Sequence, residues 1–141
     1  MILDDHPFGV GVNTYVLVAN TYGCNVRAGV ALTWGSLSAN VHNVYNLIAA
    51  ESGYPGLVSF LLLLFNGFYL AASRGWRYRR DPRGDLLLGI AVGFLVFYFH
   101  CQYEWVFVTF ELQYLYAIEL GLVAGISQQL ARKGRRTGAS S

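Results

Sequence analysis

The chain has 141 residues, of which 55% are hydrophobic, 16% aromatic and only 13% charged, with a formal net charge of +2. Typical soluble domains carry roughly 25% charged residues, so this composition excludes an ordinary soluble domain. The length is that of a single domain. A soluble bundle of buried helices would also show polar faces at helical spacing, and the long apolar runs of this chain show little polarity.

The first predicted region, residues 1–54, contains no apolar run long enough to span a membrane. It begins with a turn-rich segment over residues 6–13, in which two glycines permit backbone shapes that other residues avoid. From Asn43 onward, apolar residues recur at helical spacing and predict a short amphipathic helix. Gly53 and Pro55 are expected to end that helix and to redirect the chain into the next element.

Three apolar runs follow. Residues 55–73 carry no formal charge, residues 86–103 have His100 as their sole titratable group apart from Tyr and Cys, and residues 112–130 carry one charge, Glu119. A helix needs about 20 mostly apolar residues to cross a hydrocarbon core about 30 Å thick. We therefore predict an all-α membrane protein with three transmembrane helices in these runs, surrounded by membrane lipids.

The basic residues predict the orientation. Five arginines lie in residues 74–85 and four basic residues lie in residues 131–141, whereas Arg27 stands apart from both groups. The positive-inside rule then places residues 74–85 and 131–141 in the cytoplasm, and residues 1–54 and 104–111 on the outer side. A short basic loop between two spans follows from membrane insertion alone, so we expect no nucleic-acid partner.

The beginning of the chain predicts that other spans precede it. Residues 1–7 are acidic, and no apolar run of signal-peptide length follows them. The charge bias nevertheless requires residues 1–54 to be moved across the membrane ahead of any span. We therefore interpret the chain as the C-terminal part of a larger polytopic protein, or as a truncated reading frame.

Two motifs carry the functional signal. The first is His-Pro-Phe-Gly-Val-Gly at residues 6–11, and the second is His-Asn-Val-Tyr at residues 42–45, followed by Glu-Ser-Gly at residues 51–53 and by Gly56. In this order the motifs resemble the C-terminal half of the O-antigen ligase family, a polytopic group that includes O-antigen ligases, surface polysaccharide polymerases and protein O-oligosaccharyltransferases. The match covers two pieces with a long outward loop between them.

The resemblance implies transfer of a glycan from an undecaprenyl-pyrophosphate carrier to an acceptor hydroxyl at the periplasmic face of the bacterial inner membrane, without a metal or other cofactor. In ligases the acceptor is a glycolipid, the lipid A–core. A hydroxyl nucleophile gains from a general base that titrates near ambient pH, and His42 matches the loop histidine of the family. The pyrophosphate leaving group calls for arginine donors. The family's phosphate-binding arginines lie mostly upstream, and Arg27 is the arginine available on the predicted outer side.

The other candidate substrate-binding residues are Asn43, Tyr45 and Glu51, and each has a structural alternative. Asn43 has the residue type of a helix cap. Tyr45 has the type that packs at a membrane interface. Glu51 is a candidate for capping a helix, for pairing with Arg27 or for orienting His42. Arg27 itself is also consistent with an ordinary surface arginine.

Two rival functions stay open from the sequence. Within the family, the acceptor can be a growing polysaccharide or a Ser or Thr side chain of a protein. The rival of another class is a non-enzymatic membrane subunit or a transporter fragment, in which Glu119 and His100 form a polar relay. Metal binding is not expected, because the three histidines are scattered without ligand spacing.

Overall fold

The structure is a computed structural model. It describes residues 2–27, 29, 33–35, 41–104 and 106–138, with the backbone alone for residues 134–138. Within these residues the protein is helical and contains no strand. The chain divides into two compact units. The first unit comprises Met1–Leu62 with Cys101–Trp105, and the second unit comprises Leu63–His100 with Val106–Ser141.

The helices confirm the expected all-α class across the described residues. In chain order they are α1 (Ile2–Asp5), α2 (Tyr15–Thr21), α3 (Cys24–Arg27), α4 (Val44–Arg77), α5 (Pro82–His100) and α6 (Phe110–Gly138), with a 3-10 turn at Val106–Val108. Two of them, α4 and α5, are long and apolar enough to cross a membrane. The 19 residues of α5 measure about 28 Å at 1.5 Å per residue, close to the thickness of a hydrocarbon core. The third span stays a prediction.

Helix α4 is broken at Gly53, as the sequence predicts. The backbone of Gly53 has φ 67° and ψ −169°, a combination that is essentially restricted to glycine. Pro55 follows in the first turn after the break, where a missing backbone N–H leaves no helical hydrogen bond unmade. The break separates a short segment next to His42 from the long apolar part of α4.

The connection between α4 and α5 is shorter than the predicted loop of residues 74–85. Helix α4 continues to Arg77, and α5 already begins at Pro82. The reason is a local cap: the Arg83 backbone N–H donates to Asp81 Oδ1 at 3.1 Å, and Pro82 occupies the first helical position. The last part of the predicted loop, from Pro82 onward, is therefore the start of a helix. At its other end, α5 stops at His100, three residues before the predicted boundary at Tyr103.

Helix α6 extends beyond the predicted span of residues 112–130 at both ends. Much of the predicted tail, residues 131–141, therefore continues the helix as far as Gly138. The C-terminal extension, residues 131–138, contains no proline, and five of its eight residues are Ala, Arg or Lys, which are good helix formers. Hydropathy alone does not report this continuation, because it marks the apolar part of a helix and not its end.

The core of the second unit is an aromatic cluster. Phe94 is fully buried, and its ring centroid lies 5.8 Å from that of Tyr98 and 5.3 Å from that of Tyr116. Phe97 stacks on Tyr116 at 5.7 Å. The Tyr98 hydroxyl donates to the carbonyl of Leu64 at 2.9 Å and lies 3.0 Å from the Tyr116 hydroxyl. The cluster thus joins α4, α5 and α6 within this unit, with its buried polar groups satisfied.

Candidate functional site

The first motif contacts the Glu-Ser-Gly part of the second motif through backbone hydrogen bonds in the first unit. The Val10 N–H donates to the carbonyl of Ala50 at 3.0 Å, and the Gly11 N–H donates to the carbonyl of Glu51 at 2.9 Å. The Tyr54 N–H donates to the carbonyl of Pro7 at 3.0 Å. The His-Pro-Phe-Gly-Val-Gly segment therefore packs directly on the Glu-Ser-Gly segment at the break in α4.

Two glycines make this approach feasible. Gly9 has φ 82° and Gly53 has φ 67°, both in the region that favours glycine. A Cβ atom built on Gly9 would collide with the carbonyl of Glu51, and one built on Gly53 would collide with the carbonyl of Pro7. Any larger residue at either position would push the two backbones apart. The sequence predicts turns at these glycines, but it does not reveal that they face one another.

Glu51 holds the beginning of α2. Its Oε1 atom accepts a hydrogen bond from the Tyr15 N–H at 3.2 Å. The preceding Thr14 side chain makes no cap bond to α2, because its hydroxyl lies against the carbonyls of Val10 and Gly11 at 2.8 and 2.6 Å. Of the roles considered for Glu51, capping is therefore the one that this geometry displays. A carboxylate is well suited to it, since helix N-termini carry partial positive charge.

The backbone N–H of Tyr15 is capped by Glu51, and the Tyr15 side chain is half-buried. Burial, and to a lesser extent the neighbouring Cys24 thiol, raise the pKa of the Tyr15 hydroxyl. This phenol therefore stays neutral at physiological pH.

His42 stands immediately before the cap of α4. The Asn46 N–H donates to Asn43 Oδ1 at 2.9 Å, which is the hydrogen bond of an N-cap residue. The Asn43 amide also donates to Gln102 Oε1 at 2.8 Å, and the Val44 N–H donates to the carbonyl of Cys101 at 3.0 Å. The two residues after His42, Asn43 and Val44, are thus anchored by hydrogen bonds. The His42 side chain is exposed.

The anchor of Asn43 is a contact that sequence reasoning missed. Gln102 follows the apolar run of α5, and its polarity beside Cys101 marks the end of that run. This polarity is the signal that could have indicated a polar contact there. The signal does not specify a partner, because Asn43 lies 59 positions away in the chain.

Tyr45 and Arg27 make contacts within their own surroundings. The Tyr45 ring is half-buried and tilted against Phe60, with 6.0 Å between the ring centroids. Arg27 is exposed at the end of α3, and its Nη2 atom donates to the carbonyl of Tyr22 at 3.1 Å and lies 3.7 Å from Cys24 Sγ. These contacts involve neither His42 nor Glu51. The structure therefore joins the first motif to the Glu-Ser-Gly segment. The catalytic role of His42 and the substrate-binding roles of Arg27, Asn43, Tyr45 and Glu51 stay predictions.

The arrangement offers an exposed imidazole immediately before the anchored N-cap of α4. Imidazole exchanges protons near neutral pH more readily than other side chains, so such a group can serve a hydroxyl nucleophile. Among the residues that the structure describes, no three His, Cys, Asp or Glu side chains are grouped so that they could hold a metal ion. Comparison with protein-family models, with curated proteins and with solved structures finds no match to this chain. The family resemblance therefore rests on the motif residues themselves.

Proposed function

We propose that this chain acts in an O-antigen-ligase-like glycosyltransferase, which moves a glycan from an undecaprenyl-pyrophosphate carrier to an acceptor hydroxyl. The observation that supports this most is the backbone contact between the first motif and the Glu-Ser-Gly segment of the second. Each motif is a weak signal alone, yet the Gly9 region and the Gly53 region are joined by three backbone hydrogen bonds. Residues that serve one site are expected to meet in space in this way, even when they are far apart in the chain.

In the proposed reaction, His42 acts as the general base. One imidazole nitrogen takes the proton of the acceptor hydroxyl while its oxygen attacks the anomeric carbon of the donor glycan. The bond between that carbon and the pyrophosphate oxygen breaks, and the carrier pyrophosphate leaves with the electron pair. Arg27 stabilises the charge that develops on the leaving group.

The membrane placement belongs to the same proposal. Helices α4, α5 and α6 cross the bacterial inner membrane, with residues 74–85 and 131–141 in the cytoplasm. Residues 1–54 and 104–111 then face the periplasm, where His42 meets a donor whose lipid carrier is held in the same membrane. The break at Gly53 lies between this imidazole and the apolar part of α4.

The test replaces His42 by Ala and measures transfer in membranes supplied with an undecaprenyl-pyrophosphate-linked glycan. Loss of a general base costs about 100-fold to 10,000-fold in rate, so we expect a decrease of that order. His100→Ala is the matched control, since it removes the same side chain from the end of α5 and should leave transfer within about twofold. Immunoblotting of the membranes verifies that both variants are inserted in equal amounts.

The contrary outcomes are distinct. Unchanged transfer by His42→Ala removes the imidazole from the mechanism. Loss of solute flux in His100→Ala, with His42 dispensable, favours the transporter alternative instead. Impermeant labelling of a His42→Cys variant from the cytoplasmic side alone would overturn the topology.

A panel of acceptors, namely lipid A–core, growing polysaccharide and a Ser/Thr peptide, distinguishes the ligase from the polymerase and the protein glycosyltransferase.

A further inference from the structure

A basic cleft lies at the connection between α4 and α5 in the second unit. We define it by residues 76–81 of the connection and Lys133 of α6, which together line a cavity of about 600 Å³. This volume is in the range of small-molecule sites in proteins. The cleft involves none of the motif residues described above, so the proposed glycosyl transfer gives it no role.

The cleft carries an excess of positive charge. Four of its lining side chains are cationic, namely Arg77, Arg79, Arg80 and Lys133, and Asp81 is the one carboxylate among them. Asp81 is already engaged by two cations: Arg83 donates through Nε and Nη2 at 3.0 Å each, and Lys133 Nζ lies 2.9 Å away. The negative charge of Asp81 is thereby neutralised locally. The three arginines of the cleft are therefore available to an anion.

An exposed tryptophan stands beside an arginine at the cleft. The guanidinium carbon of Arg79 lies 4.9 Å from the ring centroid of Trp76, which is a cation–π contact. Trp76 is 66% exposed and stands one residue before the end of α4. Exposed tryptophans are enriched where a membrane span meets the interface. Helix α4 ends and α5 begins beside the cleft, so in the proposed membrane placement the cleft lies at the membrane surface.

We propose that the basic cleft binds the phosphate of an anionic phospholipid headgroup. The inference rests on α4 and α5 crossing the membrane, but not on the identity of the reaction. Arginine guanidinium groups recognise phosphate oxygens through paired hydrogen bonds, and basic pockets between the ends of membrane helices are suited to anionic headgroups. Trp76 and Tyr78 supply aromatic walls for the apolar part of the headgroup region.

The experiment uses the whole chain in detergent, titrated with phosphatidylglycerol or with phosphatidylcholine of the same acyl chains, and reads bound lipid by native mass spectrometry. We expect phosphatidylglycerol to bind more tightly than phosphatidylcholine. Each basic residue near an anionic lipid surface contributes enough to change affinity about fivefold, so Arg80→Gln should weaken phosphatidylglycerol binding by about that factor. Arg80→Lys, which keeps the charge, should retain most of the affinity.

Arg132→Gln is the matched control. It removes one positive charge from the same unit at an exposed position outside the cleft, and binding should change by less than twofold. Equal weakening by Arg80→Gln and Arg132→Gln would mean diffuse attraction by surface charge and would overturn the site. So would equal binding of the two lipids, or displacement of phosphatidylglycerol by millimolar inorganic phosphate, which would indicate a soluble ligand. Circular dichroism of each variant verifies that the helices are intact.

Discussion

The two units of this protein hold their helices together in different ways. In the first unit, the backbones around Gly9 and Gly53 approach directly, and the residues buried beside them are small, such as Ala49 and Ala50. In the second unit, large rings interlock around Phe94. A backbone-to-backbone contact admits glycine alone at its closest points, whereas a ring cluster requires volume and apolarity. The first unit is therefore recognisable in the sequence by its specific glycine positions. The second unit is recognisable mainly by the hydrophobicity of its residues.

The chemistry is divided in a similar way. The exposed His42 and the capping Glu51 belong to the first unit, where anchored backbone surrounds them. The second unit contains the basic cleft, in which long flexible side chains surround the carboxylate of Asp81. The proposed transfer reaction needs groups held in place, whereas the proposed phosphate binding needs mainly positive charge.

The largest effect is expected from Gly53→Ala, which disrupts the backbone contact between the Gly9 and Gly53 regions of the first unit. Alanine is strained at φ 67° and ψ −169°, and its Cβ would displace the backbone at Pro7 and Phe8. Strain of this kind costs about 1–3 kcal/mol before any steric overlap is added, so we expect a loss of about 3 kcal/mol or more. Hydrogen exchange at the Tyr54 amide, which donates to Pro7, measures the opening of the contact.

Gly23→Ala is the control for this prediction. Gly23 also has a positive φ, 63°, but a Cβ there has no atom within 4 Å. The variant should therefore show only the conformational cost of the left-handed backbone, about 1–2 kcal/mol. Similar losses of stability in the two variants would mean that close packing at Gly53 adds nothing to the stability of the first unit. The first unit would then not depend on the backbone contact.

A smaller effect is expected in the second unit from Tyr116→Phe. This variant keeps the ring that stacks on Phe97 but removes the hydroxyl 3.0 Å from Tyr98. We expect a loss of about 1 kcal/mol in the free energy of unfolding, measured in detergent with a denaturant, because a single neutral hydrogen bond is removed. Tyr114→Phe, at a side chain that is 68% exposed, should change stability by less than half as much. A loss above about 3 kcal/mol would show that the cluster depends on polar geometry as strictly as the first unit does.

The smallest effect concerns Asp81 at the charged end of the second unit. Hydrogen bonds from Arg83, and then from Lys133, hold the pKa of Asp81 well below its ordinary value. A carboxylate with a depressed pKa stabilises the folded state above the pH at which it titrates when unfolded, about 3.9, and this stabilisation is lost as the pH falls through the folded pKa. Lys133→Gln should move the pKa of Asp81 upward, as followed by the carboxyl carbon chemical shift. An unchanged midpoint in this variant would show that Lys133 does not act on Asp81.

The boundaries of the helices show which features of the fold can be predicted from local sequence. The all-α class, the apolar character of α4 and α5 and the break at Gly53 could all be predicted, since each depends on composition or on residues adjacent in the chain. Within the predicted loop of residues 74–85, hydropathy falls at Arg74, but helix α4 continues to Arg77, and α5 already begins at Pro82 after the cap at Asp81. Caps are short polar signals and are easily read as turns.

The sequence by itself determined that this protein is helical, apolar and asymmetric in charge, because those properties add up residue by residue. It also placed glycine where the backbone must take unusual angles. Only the tertiary structure decided that Gly9 faces Gly53, that Glu51 caps α2 and that Asn43 meets Gln102. Each of these contacts joins groups far apart in the chain, and their pairing depends on how the intervening residues fold, which no local preference encodes.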